Sequence, residues 1–193
     1  MQSWRFLKTC NSGVALLEFA IALPIMLTML IGMIEATRFT IINQKLDKVA
    51  NAMADFVTQS ITIGVGNLDA FAQAVAPIMQ PFAFSGTIVF TSVASFAGPT
   101  PPCAVANTPC ITWQHKELGN SASQVGTNVG GSAVIPNGYT MSAGGNIIIA
   151  EAFMTYTPLL NATSTLISAF NAQTLYKVAV YKPRQGSLTT LGP

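Results

Sequence analysis

The sequence predicts an α+β fold, a long N-terminal transmembrane helix extending into a small head with an antiparallel sheet. Three observations predict it. The run Val14–Ile34 is apolar and long enough to cross a bilayer as a helix. Beyond it, Ile42, Leu46, Val49, Met53 and Phe56 recur at steps of four, three, four and three, the spacing of one helical face. From Thr87 onward the hydrophobic period changes to two, as in half-buried strands.

Composition and charge support the membrane segment. Of 193 residues, 50% are hydrophobic and 8% charged, with a mean hydropathy of +0.48; a soluble domain carries about 25% charged residues. Gly, Ser, Thr and Asn take the place of Lys and Glu on the exterior. The net charge of +2 lies wholly ahead of Val14, in Arg5 and Lys8. From Val14 onward the seven bases (Arg38, Lys45, Lys48, Lys116, Lys177, Lys182, Arg184) are balanced by seven acids (Glu18, Glu35, Asp47, Asp55, Asp69, Glu117, Glu151). No basic excess remains to neutralise a phosphate backbone, which argues against a nucleic-acid partner.

Only Glu18, Pro24, Thr28 and Gly32 interrupt Val14–Ile34. Arg5 and Lys8 place the N-terminus in the cytoplasm and residues 36–193 outside it. The far flank carries Glu35 and Arg38, an i,i+3 pair of little net charge. A secretory signal has a shorter apolar core, and Ile34-Glu35-Ala36 is a poor cleavage site. An uncleaved signal anchor explains the length and the flanking charges, but not Glu18: an ionised carboxylate in hydrocarbon costs about 3 kcal/mol or more. Small residues at Ala20, Pro24, Thr28, Gly32 and Ala36 form a ridge along which a second helix could approach. Pro24, lacking an amide donor, loosens the helix where neighbouring helices must compensate.

In the head, Gly64-Val65-Gly66 closes the helical region. Leu68–Gln80 reads as a short second helix with Asn67 as N-cap, broken near Pro77 and Pro81. Strands are expected over Thr87–Val93, Ile111–His115, Asn146–Tyr156 and Leu175–Tyr181. Ile148, Ala150, Ala152, Met154 and Tyr156 share one face. This is a sheet with one covered face, and the long helix is the cover. Residues 97–110 read as a Pro-rich loop, and residues 119–145 as a Gly/Ser/Asn-rich loop with a mobile or contact role. Leu159–Phe170 is read as a further short helix. No internal repeat and no second domain are evident.

Cys103 and Cys110 sit in Pro-Pro-Cys-Ala-Val-Ala-Asn-Thr-Pro-Cys, a separation that closes without strain. Outside the cytoplasm the pair is expected to form a disulfide, with two free thiols as the other reading. With one His and no further Cys beyond Cys10, no metal site is expected. No catalytic residues, cofactor or small-molecule substrate are expected either, because the chain has no phosphate loop and no Gly-x-Ser-x-Gly. His115 reads as a surface or edge residue. Trp113 lies two positions away on the same face, and Lys116 points to the other.

Gly13-x4-Glu18-Phe19-Ala20, then Pro24, then an apolar run ending near Glu35 and Arg38, resembles the TadE-like family. These are minor pseudopilins of the Tad (tight adherence) branch of type IV pilus systems. The N-terminal resemblance covers about residues 13–54. Ile147–Leu159, with its Tyr156-x-Pro158-Leu159, resembles a strand of these proteins, Ile111-Thr112-Trp113 a short Trp-bearing strand, and Lys182-Pro183-Arg184 their closing Pro-Arg. The resemblance implies a pilin-like chain in which residues 1–13 are a cytoplasmic leader, residues 14–35 the transmembrane helix and residues 36–193 a periplasmic domain. It implies cleavage by prepilin peptidase between Gly13 and Val14, which also removes Cys10. Glu18 then becomes the fifth mature residue, placed to pair with the new Val14 ammonium of a neighbouring subunit. Such a pair is geometrically demanding and sets register more than it adds stability. The other readings of Glu18 are that it snorkels to the interface or is protonated. Implied partners are the bacterial inner membrane, prepilin peptidase, other pilins or minor pseudopilins and the pilus assembly platform, in a system for adhesion and secretion. The competing reading is an unprocessed single-pass envelope protein with a periplasmic binding domain.

Overall fold

A computed structural model of the chain describes residues 12–158 and 171–193. The leader residues 1–11, with Arg5, Lys8 and Cys10, and the helix expected over Leu159–Phe170 lie outside the described residues. The elements in order are α1 (Ser12–Gln59), α2 (Val65–Gln73), α3 (Val75–Met79), β1 (Gly86–Ala94), β2 (Cys110–Glu117), β3 (Asn146–Tyr156) and β4 (Gln173–Tyr181), with a 3-10 turn at Pro136–Gly138 before β3. The fold is α+β, a long apolar N-terminal helix followed by a head with a four-stranded antiparallel sheet.

The chain divides into two units, residues 1–39 with 158–171, and residues 40–157 with 172–193. In the first, α1 is exposed at every residue from Gly13 to Leu30. Leu16, Leu17, Phe19, Ile21, Ile25 and Met26 all present their side chains outward. A helix apolar on all sides is a helix made for hydrocarbon or for a protein interior. Gly13–Gln59 contains a window of mean hydropathy 2.4, none of it buried, and is long and apolar enough to cross a membrane. Pro24 lies inside the helix without ending it. Glu35 is buried, with its Oε1 3.6 Å from Arg38 Nη1.

In the second unit α1 buries one stripe: Ile42, Leu46, Val49, Ala50, Met53, Ala54 and Val57. The stripe closes at Val57 and not at the expected Phe56. At 3.6 residues per turn, the i+4 step from Met53 reaches the centre of the face and the i+3 step only its edge. Phe56 stacks instead against Phe71 of α2, ring centroids 5.6 Å apart.

The second helical region also departs from expectation. Gly64 is the N-cap of α2, and Asn67 sits at N3, where its Oδ1 accepts the Gly64 amide at 3.0 Å. Asn67 therefore serves the reciprocal half of a capping arrangement. The helix breaks at Ala74 and restarts as α3, with Pro77 in its first turn. No intrahelical bond needs an amide there, so Pro77 is tolerated without breaking α3.

Strand order is β2-β1-β3-β4, all antiparallel. One face carries Ile88 and Phe90 of β1 with Ile148, Ala150, Ala152, Met154 and Tyr156 of β3, all buried. Tyr181, in register with Ile148, donates from this face to Asn51 Oδ1 of α1 at 3.3 Å. The helix is thus the expected cover. The opposite face is covered too, which corrects the expectation of a sheet covered on one side. Val93, Ile111, Ile147 and Ile149 form a second core with Val125 and Ala133 of the 119–145 loop, and Ile135 and Met141 pack against it. In β3 every residue except Thr155 is buried. The loop is a packed second layer because its scattered apolar residues fill that face. Its glycines allow close approach: at Gly130 (φ +84°) a Cβ would stand 2.7 Å from the Pro102 carbonyl oxygen. The neighbouring Pro-rich loop is closed by a Cys103–Cys110 disulfide, Cα atoms 5.8 Å apart, both cysteines buried.

Leu46 is fully buried and Leu16 is 73% exposed. Leu46→Ala is expected to lower the unfolding free energy of the detergent-solubilised chain by about 3 kcal/mol. Leu16→Ala is expected to change it by less than about 0.5 kcal/mol. Denaturant titration measures both, and equal losses would contradict this packing.

Candidate functional site

Gly13, Val14, Glu18, Phe19 and Pro24 all fall on α1. Gly13 is helical, and space around its Cα is open. Val14 and Phe19 are 55% and 61% exposed. Glu18 stands one helical turn beyond Val14, on the same side of the helix. It is exposed and has no polar partner among the described residues. The chain therefore presents a carboxylate to its surroundings within a surface that is otherwise apolar. Phe19, Leu23, Met26, Leu27, Leu30 and Met33 form an apolar helix face along the same stretch. Cys103 and Cys110 are brought together with each other in the head.

Residues 13–55 match the family model of TadE-like proteins. This segment is TadE-like. No curated protein and no solved structure matches the chain. The TadE-like segment spans the exposed apolar part of α1, including Gly13 and Glu18, and most of the buried stripe that serves the head. It ends at Asp55. Arg184, from the closing Lys182-Pro183-Arg184, forms an ion pair with Asp55, and the Arg184 amide donates to the Thr58 carbonyl at 3.0 Å. The C-terminal segment is thereby tied to the end of the TadE-like helix.

The tail continues as a strap across the head. The Leu188 carbonyl accepts from Trp113 Nε1 at 2.8 Å and from Ser92 Oγ at 2.7 Å, while the Leu188 amide donates to Asn146 Oδ1 at 2.9 Å. The Trp113 side chain is packed, as expected, and its indole N–H finds its partner in the tail. Further on, the Gly192 amide donates to the Ile63 carbonyl at 2.9 Å. Sequence reasoning missed these partners because Leu188 takes part through its backbone, which leaves no side-chain signature.

Two polar groupings in the head were also missed. Glu151 is fully buried on the loop-covered face, where it accepts from Ser123 Oγ, from the Gln124 amide at 2.8 Å and from Tyr176 Oη at 3.0 Å. These bonds pin the 119–145 loop to β3 and β4. On the helix-covered face, His115 Nε2 lies 2.6 Å from Glu117 Oε1 and 3.5 Å from Asp69 Oδ1 of α2. His115 is half-buried on an edge strand, as its reading as an edge residue anticipated. The His-x-Glu alternation was a usable signal for that pair. Asp69, 46 positions earlier in the sequence, offered none.

Burial first, then the Glu151 charge and the hydrogen bond to it, push the Tyr176 phenol well above the ordinary tyrosine value of 10.0. The unfolded chain releases this proton from about pH 10, whereas the folded chain holds it. The contribution is therefore complete below pH 10 and is lost as pH rises toward the folded value. Phenolate absorbance over an alkaline titration is expected to show Tyr176 ionising only with unfolding. Tyr176→Phe should remove that coupled step. Ionisation of Tyr176 near pH 10 in the folded protein would contradict its contact with Glu151.

Proposed function

We propose that the protein is a minor pseudopilin acting in assembly of a Tad pilus, matured by prepilin peptidase cleavage between Gly13 and Val14. The observation that carries the reading is the coincidence of the TadE-like match over residues 13–55 with an exposed carboxylate, Glu18, in a helical stretch that is otherwise apolar on all sides. Arg5 and Lys8 hold the leader on the cytoplasmic side. The head, from about residue 36 onward, lies in the periplasm, an oxidising compartment that suits the Cys103–Cys110 disulfide.

Cleavage creates an ammonium at Val14. In a bilayer that group and the Glu18 carboxylate of a neighbouring subunit satisfy each other, and neither finds another partner as readily. Because desolvation offsets much of the Coulomb gain, the pair selects the axial register of two helices more than it strengthens their contact. The small-residue ridge at Ala20, Pro24, Thr28, Gly32 and Ala36 is the surface along which such helices approach. The partners are other pilins or minor pseudopilins and the assembly platform of the inner membrane.

The mature protein purified from membranes is expected to begin at Val14 by intact mass and N-terminal sequencing. Retention of residues 1–13 in cells with active peptidase would refute processing and favour the unprocessed envelope protein. Gly13→Asp should leave the chain uncut. Glu18→Ala should be cut normally yet reduce piliation at least about tenfold, since an intramembrane ion pair is left half-made; unchanged piliation would remove the role given to Glu18.

A further inference from the structure

We propose that Asp69, His115 and Glu117 form a binding site for a divalent transition-metal ion of the Zn2+ type, which clips α2 to the edge strand β2. The three residues come from two elements that touch only through the fold: Asp69 from α2, His115 and Glu117 from alternate positions of β2. Their ligating atoms, a His nitrogen and one carboxylate oxygen from each acid, all lie within 4.8 Å of one another. Ligand atoms about 2.1 Å from a metal stand about 3.0–3.4 Å apart in octahedral or tetrahedral coordination. The separations from His115 Nε2, 2.6 Å to Glu117 Oε1 and 3.5 Å to Asp69 Oδ1, bracket that range.

Hydrogen bonding within the cluster does not satisfy it. Nε2 carries at most one proton, which the short contact directs to Glu117. Asp69 Oδ1 faces the same nitrogen, is shielded from solvent and has no hydrogen-bond partner. Two carboxylate oxygens thus converge on one nitrogen that can serve only one of them, whereas a cation between the three serves all. An imidazole with two carboxylates is a donor set that suits zinc and its neighbours better than a purely oxygen-liganded ion. The cluster is open enough to load: the side chains of His115 and Glu117 are 20% and 22% exposed, that of Asp69 47%. Solvent supplies the remaining ligands. The metal has a structural task, since α2 is a nine-residue helix whose N-cap makes no side-chain bond to its amides.

The test uses the full chain in detergent, carrying Cys10→Ser so that the one cysteine outside the disulfide does not compete, stripped with EDTA and titrated with Zn2+ by calorimetry and by thermal unfolding. One saturable site per chain in the micromolar range or tighter is expected, with Tm rising as it fills. His115→Gln and Asp69→Asn should each weaken binding at least about tenfold and abolish the Tm rise. Lys116→Gln, on the opposite face of β2, should change neither. Asp69→Asn, half exposed, keeps the test decisive if His115→Gln does not fold. Absence of saturable binding, or equal affinity in the parent and the Asp69→Asn chain, would overturn the site and leave only an ion triad.

Discussion

Everything else in the structure depends on one helix meeting two different surroundings along its length. Up to Leu30, α1 exposes apolar side chains on every side. From Ile42 it buries a single stripe and turns Asp47 and Lys48 away from it. In hydrocarbon the backbone must satisfy itself, which a helix does and a sheet edge does not. In the head the same helix has to supply the apolar cover that a four-stranded sheet requires. A change of pattern near residue 40 lets one continuous element do both. Glu18 breaks the first pattern and Glu35 sits buried near its end, with Arg38 one turn on.

The head is held by polar latches set at the edges of its apolar layers. Arg184 on Asp55 ties the C-terminal segment to α1, Leu188 bonds through its backbone to Trp113, Ser92 and Asn146, and Glu151 gathers Ser123, Gln124 and Tyr176. Each joins segments far apart in sequence, and those at Leu188 and Glu151 satisfy buried groups that would otherwise be unpaired, at a cost of about 1–3 kcal/mol apiece. Such latches add specificity to a core that is otherwise apolar on both sides of the sheet. They also explain why a loop of 27 positions, 119–145, rich in Gly, Ser and Asn, has a defined path.

The elements with strong periodicity were legible in the sequence. The Asn146–Tyr156 strand emerges with the limits that its alternation indicates, and the stripe from Ile42 to Met53 is the buried face of α1. Phe56 misled because a step of three is allowed on paper, whereas the arc of the face, widened by Ala50 and Ala54, is centred on Val57 and leaves Phe56 at its edge, against Phe71 of α2. Asn67 misled because capping residues act from either side of a helix start. The second cover of the sheet was hidden because Val125, Ala133, Ile135 and Met141 follow no period, so nothing marks them as one layer. At the candidate site, Gly13, Glu18 and Pro24 stood out because they violate the apolar pattern around them. Asp69 and Glu151 did not, since a carboxylate in a polar stretch or on an alternating strand looks like any solvated one.

The most direct test of the account is whether α1 changes surroundings where its pattern changes. In a Cys10→Ser background, Leu27→Cys and Ile61→Cys place single thiols on residues that are 48% and 67% exposed in the isolated chain. A membrane-impermeant maleimide applied to spheroplasts should label Ile61→Cys fully and leave Leu27→Cys unlabelled until detergent is added, because lipid covers the one and water the other. Labelling of Leu27→Cys in intact membranes, at a rate similar to that of Ile61→Cys, would contradict the account.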